Sequence, residues 1–157
     1  MERSIPVVVV GYNRPKALKR LLNSLLEADY PCEVELIISV DGPKVVKGYG
    51  GKVVDGNGEE VRAIASDFKW PFGKKRLIFH EQNIGLRKHV LSCGDLVKDY
   101  DGVIVLEDDL YVSPGFYVYT LKAFDFYKDD DKIAGISLYS HAYNETAQFP
   151  FRPLADG

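Results

Sequence analysis

The stretch Ile5-Pro6-Val7-Val8-Val9-Val10-Gly11-Tyr12-Asn13-Arg14-Pro15 decides the fold. Four consecutive valines exclude the period-two alternation of a strand with one wet face. Ile5 to Gly11 therefore reads as a strand buried on both sides, the pattern of a parallel sheet. Apolar residues then recur at Leu18, Leu21, Leu22, Leu25 and Leu26 with helical spacing. Asn13 or Arg14 falls where a helix N-cap belongs, and Pro15 suits the first turn, where its missing N–H leaves no bond unmade. The unit is strand, loop, amphipathic helix.

Outward from there the unit repeats. Val34 to Val40 is a second strand, ending at Asp41-Gly42, and Glu59 to Phe68 a second helix. Arg76 to His80 and Leu86 to Lys98 form a third pair, Gly102 to Leu106 and Pro114 to Tyr127 a fourth, and Ile133 to Ser137 adds a fifth strand. Lys44 to Gly58 is rich in Gly and Lys, and its Asp55-Gly56-Asn57-Gly58 is a turn signal that fits a small hairpin or flap. Strict alternation implies parallel pairing through right-handed crossovers. The expected class is α/β, an open, doubly wound, mostly parallel sheet in a three-layer α/β/α, Rossmann-like arrangement.

The totals bound what such a chain can do. Its 157 residues suit one domain, expected to span 1–157. A hydrophobic fraction of 46% and a charged fraction of 27% exclude disorder and a disulfide-dense secreted scaffold. The net charge of -3 gives no electrostatic case for nucleic acid as a partner. Cys32 and Cys93 form no Cys-x-x-Cys pair, so reduced thiols and a cytoplasmic location are expected. Val7 to Val10 is too short for a signal segment or a membrane span, so no membrane segment is expected. The weakly patterned end, Phe151 to Gly157, reads as a cut within a longer chain.

The chemistry concentrates where the apolar run Val103-Ile104-Val105-Leu106 meets Glu107-Asp108-Asp109. Nothing about a core requires three carboxylates there. Two unit charges about 5 Å apart repel by roughly 3 kcal/mol at an effective dielectric near 20, so the cluster is costly unless a cation offsets it. Hard oxygen ligands with open positions suit Mg²⁺ or Mn²⁺ held jointly with substrate phosphates. In open α/β sheets ligands sit beyond the carboxyl ends of the strands, where strand order reverses. With the order 3-2-1-4, the loop Gly11, Tyr12, Asn13, Arg14 faces the acidic triplet across that crevice, and Asp41 stands beside them.

These segments together, with Asn83-Ile84-Gly85-Leu86-Arg87-Lys88-His89 and the Tyr111 to Tyr117 stretch after the triplet, resemble a GT-A-type glycosyltransferase. The motif is similar to that of the N-acetylglucosaminyltransferases that initiate complex N-glycans, which carry Glu-Asp-Asp in place of the commoner Asp-x-Asp. The resemblance covers about Ile5 to Ser140. It implies that Asp109 coordinates Mn²⁺ or Mg²⁺ on the donor diphosphate, while Asp108 and Glu107 contact the ribose and sugar side. It further implies that Arg14 and the backbone near it meet the nucleotide, Asp41 the uracil, and His89 the uracil edge, with Arg87 or Lys88 as alternatives to His89. The expected partners are a nucleotide-diphosphate sugar, UDP-linked, and a glycan or other hydroxyl acceptor. In the family the general base lies in a later half, so this chain reads as the donor-binding, N-terminal part of a longer transferase. The long Lys44 to Gly58 loop and Glu107 in place of the usual first Asp depart from the pattern.

Blander readings exist for several of these residues. Asp41 before Gly42 also fits a turn opener, His89 a packed helix histidine, and Arg14 a surface charge at a helix start. Asp129-Asp130-Asp131, flanked by Lys128 and Lys132, reads as a solvated loop. Trp70 with Pro71 and Phe72 reads as an apolar plug. Among rival functions, a sugar-nucleotide pyrophosphorylase calls for a Gly-rich loop after the first strand, and a P-loop requires a pattern that Gly42 to Gly48 lacks. A receiver domain requires paired acids after its first strand, where Gly11-Tyr12-Asn13 stands. A non-catalytic nucleotide-sugar-binding module is the alternative of a different class.

Overall fold

The computed structural model describes residues 5–44 and 56–139. The chain divides into two compact units, Met1–Leu121 and Lys122–Gly157. The first holds a four-stranded parallel sheet: β1 (Val7–Gly11), β2 (Leu36–Val40), β3 (Lys75–Phe79) and β4 (Ile104–Glu107), in the order β3-β2-β1-β4. Helices α1 (Pro15–Leu26), α2 (Gly58–Asp67) and α3 (Leu86–Gly94) lie between successive strands, and a 3₁₀ turn, Asp95–Asp99, follows α3. This is the expected doubly wound α/β plan.

Every residue of β1 and β2 is buried, as their unbroken apolar runs require. On one face Val8, Val10 and Ile37 pack with Cys93 of α3, joined by Val90 and Leu96. On the other, Val7, Val9, Leu36 and Ile38 are equally closed to water. A Cβ at Gly11, on the same face as Val9, would lie 3.8 Å from Val61 of α2, which places α2 on that side. Helix α1 buries Leu18, Leu21, Leu22 and Leu25, four of the five positions its apolar spacing marked, leaves Leu26 exposed, and packs against α2. Removing each such side chain from water contributes about 1.5–3 kcal/mol, so this leucine stripe holds α1 in place more than its start signals do. Arg14 is the N-cap but makes no capping bond with its side chain, while Pro15 opens the helix as expected.

The boundaries shift for physical reasons. β1 begins at Val7 because Pro6 has no N–H for the ladder; only its carbonyl is used, accepting from Ile104 N at 3.0 Å. The helix expected over Leu86 to Lys98 stops as an α-helix at Gly94 and tightens into the 3₁₀ turn. Gly85 precedes α3 with φ 80°, a conformation that glycine adopts without steric cost. The C-terminal carbonyls of α2 are held by Lys75 Nζ, which donates to Ala65, Ser66 and Phe68 oxygens at 2.9, 2.7 and 2.7 Å. Trp70 is buried, donates Nε1 to Val34 O at 2.7 Å and packs against Tyr30 and Phe72, the plug read from sequence.

Helix α4 (Phe116–Tyr127) gives its first half to this unit. There the Tyr117 hydroxyl accepts from Ile5 N at 3.1 Å and donates to Ile5 O at 2.9 Å, tying the start of the sheet to a residue 112 positions away. In the second unit, α4 ends in a turn where Asp130 Oδ1 accepts from Lys132 N at 3.0 Å, the solvated acidic loop expected from its lysine flanks. The fifth strand expected over Ile133 to Ser137 is absent. Those residues are exposed and, among the described residues, pair with no strand, and a strand is stable only with a hydrogen-bonded neighbour. The hairpin expected over Lys44 to Gly58 falls mostly on residues 45–55, outside the described residues, as do His141 and the 151–157 end.

Candidate functional site

The middle of the sheet sets the site. β1 and β4 run side by side in parallel with Val10 opposite Glu107, so both release their chains at the same edge. Asp108 N donates to Val10 O at 3.0 Å, and a turn closes from Leu110 N to Glu107 O at 3.1 Å. The acidic triplet is thus not a free tail: Glu107 ends the strand, Asp108 points inward at 1% exposure and Asp109 points out.

Opposite lies the loop that leaves β1. Tyr12 N donates to Asp108 Oδ2 at 3.4 Å. Arg14 reaches across both acids, with Nη2 2.6 Å from Asp108 Oδ1 and Nη1 2.8 Å from Asp109 Oδ2. Burial raises the Asp108 pKa above the ordinary carboxylate value, and the Arg14 charge and the Tyr12 amide pull it back only in part. Burial opposes the Arg14 charge, but the two acids outweigh it and raise its pKa. Arg20 of α1 adds a second clamp, donating Nη2 to Asp109 O at 2.9 Å. Of the residues expected at the exits of the first and fourth strands, Tyr12 and Arg14 meet Asp108 and Asp109, Gly11 and Asn13 belong to the same β1 exit, and Glu107 ends β4 opposite Val10. Asn13 O also accepts from Asn57 Nδ2 at 3.4 Å, which ties the loop to the start of α2.

A cation needs more than one ligand. Among the described residues no three His, Cys, Asp or Glu side chains converge on one point. Asp109, whose side chain is 47% exposed, is the accessible carboxylate at this edge, and any cation there would need its remaining ligands from a bound molecule and water.

Asp41 and His89 sit one strand away and are differently placed. Asp41, 5% exposed, accepts from Gly42 N and Ile84 N on Oδ1 at 2.8 and 2.9 Å, and from Asn83 Nδ2 and Gly85 N on Oδ2, both at 3.1 Å. His89, 1% exposed, shares a 2.7 Å hydrogen bond between its Nε2 and Ser39 Oγ and meets the His80 ring edge-on at 5.1 Å. Burial lowers its pKa from the usual 6.5, opposed by Asp41. Arg87 and Lys88 are exposed at the start of α3. A shallow cavity of about 340 Å³ lies along α1, lined by Lys16, Lys19, Arg20, Asn23, Glu27 and Tyr111 among others; neither Asp108 nor Asp41 lines it.

Sequence reading missed Asn83 and Arg20. Asn83 carried a turn signal before Gly85, but nothing in spacing connects it to Asp41, 42 positions earlier. Arg20 stood among other charges on the polar side of α1 and carried no signal.

No family model and no curated protein matches the chain. Solved structures of S. aureus TarS share its fold. TarS 1-349 aligns with a TM-score of 0.51 and 22% identity over 81% of this chain and 33% of that one, and the same values hold for TarS 1-349 in complex with UDP. A longer TarS structure aligns equally well, with 20% of its chain covered. The chain therefore spans a third or less of the structures it resembles.

Proposed function

We propose that this chain is the donor-binding part of a GT-A-type glycosyltransferase, which transfers a sugar from a UDP-linked donor to a hydroxyl of a glycan or other acceptor. The observation that carries the reading is the meeting of two strand exits: Arg14 of the β1 loop spans Asp108 and Asp109 at the end of β4, at the reversal point of the strand order. The UDP held by one of the TarS structures supports a uridine nucleotide as the ligand of this shared fold.

In this reading Asp109 holds Mn²⁺ or Mg²⁺ together with the donor diphosphate. The cation would supply charge neutralisation to the departing nucleoside diphosphate. Arg14 is the residue best placed to exchange partners: with half its side chain exposed, it can turn from Asp109 to a phosphate oxygen at little cost. Asp108, buried and fixed by the Tyr12 amide, keeps the β1 loop in register beside the donor. Gly11, Tyr12 and Asn13 line the nucleotide side, Glu107 faces the ribose and sugar, and Arg87 stands at the nucleoside end.

Calorimetric titration with UDP, with and without Mn²⁺, tests the proposal. Binding is expected to tighten at least tenfold with the cation, and Asp109→Ala to abolish that gain. Equal affinity in both conditions would sink it.

A further inference from the structure

The carboxylate of Asp41 has no vacancy for a ligand. An ionised carboxylate offers about four lone-pair sites, and here each oxygen already accepts two N–H donors. Three of the four donors, from Asn83, Ile84 and Gly85, belong to the segment that leads into α3. Asn83 Nδ2 also donates to Gly42 O at 3.1 Å, so the segment is held twice at the end of β2. The contact is too close for a side chain: a Cβ at Gly42 would meet the backbone of Gln82 at 2.3–2.6 Å. Asp41-Gly42 is therefore a latch, with a charged acceptor to hold the incoming loop and a bare backbone for it to lie on. The amides of Ile84 and Gly85 lie immediately before α3, so Asp41 fixes the approach of the chain to that helix from another strand.

Resting on the donor-binding reading above, we infer that Asp41 is a positioning residue, which acts on the nucleotide through the Asn83–Gly85 segment and not by touching the base. For the uracil N3–H to bind Asp41, one of the four donors would have to be displaced from the carboxylate, which loosens the hold on the incoming segment. The latch instead fixes the first turn of α3, with Arg87 and Lys88 exposed on it, as the wall at the nucleoside end of the crevice.

The two roles separate by experiment. UDP and CDP are titrated against the wild type, Asp41→Asn, Asn83→Ala and the double variant, and amide hydrogen exchange is followed in the ligand-free proteins. The latch predicts that Asp41→Asn weakens both nucleotides by a similar factor, near tenfold, with the UDP-to-CDP ratio held within twofold. It also predicts that adding Asn83→Ala costs little more, because both changes open one device. Exchange at Ile84 and Gly85 should quicken at least tenfold while the amides of β2 stay protected. A shift of the ratio toward CDP by tenfold or more, with exchange unchanged, would show direct contact with the base and overturn the inference. A wild type that binds neither nucleotide would overturn the donor reading instead, and the exchange data alone would then decide the latch.

Discussion

Two sets of carboxylates stand at the same edge of one sheet, and the structure treats them in opposite ways. Asp41, at the end of β2, is held by four neutral N–H groups, three of them backbone amides. Asp108 and Asp109, at the end of β4, are neutralised by one arginine whose side chain is half exposed. Amides fixed by the chain cannot leave, whereas an exposed guanidinium exchanges its partner easily because water screens the loss. A saturated carboxylate shapes a structure; a carboxylate balanced by a mobile charge is available to a ligand.

The comparison breaks first at Asp41. Asp41→Ala would take the acceptor from the half-buried amides of Ile84 and Gly85 and from those of Gly42 and Asn83, and a loss of about 3 kcal/mol is expected in urea unfolding. Gly42→Ala should cost nearly as much, about 2–3 kcal/mol, since the backbone of Gln82 must move. If either variant keeps wild-type stability, the Asp41-Gly42 latch does not contribute to holding the fold. A milder effect comes from pH. Burial holds the His89 pKa below its unfolded 6.5, so the stability tied to neutral His89 is full above that value and declines as pH falls through the folded pKa. His89→Gln should flatten the unfolding midpoint against pH below 6.5, and an unchanged slope would assign the decline to other groups.

At the end of β4 the expected changes in stability are small. Asp108 pays for its burial with a raised pKa, so Asp108→Asn removes a charge that the fold holds reluctantly, and Arg14 can be hydrated once released. Its unfolding free energy should stay within about 1 kcal/mol of wild type. Arg14→Ala should change it least, by under about 1 kcal/mol, with most of that lost in high salt. Both variants should nevertheless weaken UDP binding in the presence of Mn²⁺. A large stability loss at Arg14 would move it from the ligand-binding set to the structural one.

Much of the fold was legible because burial leaves a periodic trace. The valine run of β1, the leucine spacing of α1 and the apolar lead into Glu107 each announced an element within a few residues of its position. Ile133 to Ser137 misled for the converse reason: its composition suits a strand, but pairing depends on a neighbour that no local pattern contains. The site divided in the same way. The acidic triplet stood out because its cost is local, three like charges in a row. Its pairing with Arg14 followed only from the order of strands, which puts residues 95 positions apart within 2.8 Å.

The amino-acid order by itself determined that the chain alternates buried strands with amphipathic helices, and that carboxylates and a basic loop fall at strand ends. Only the tertiary structure decided which of those carboxylates are occupied. Hydrophobic burial is read from spacing along one chain, whereas the saturation of Asp41 depends on donors brought from 42 to 44 positions away, and no local rule encodes that meeting.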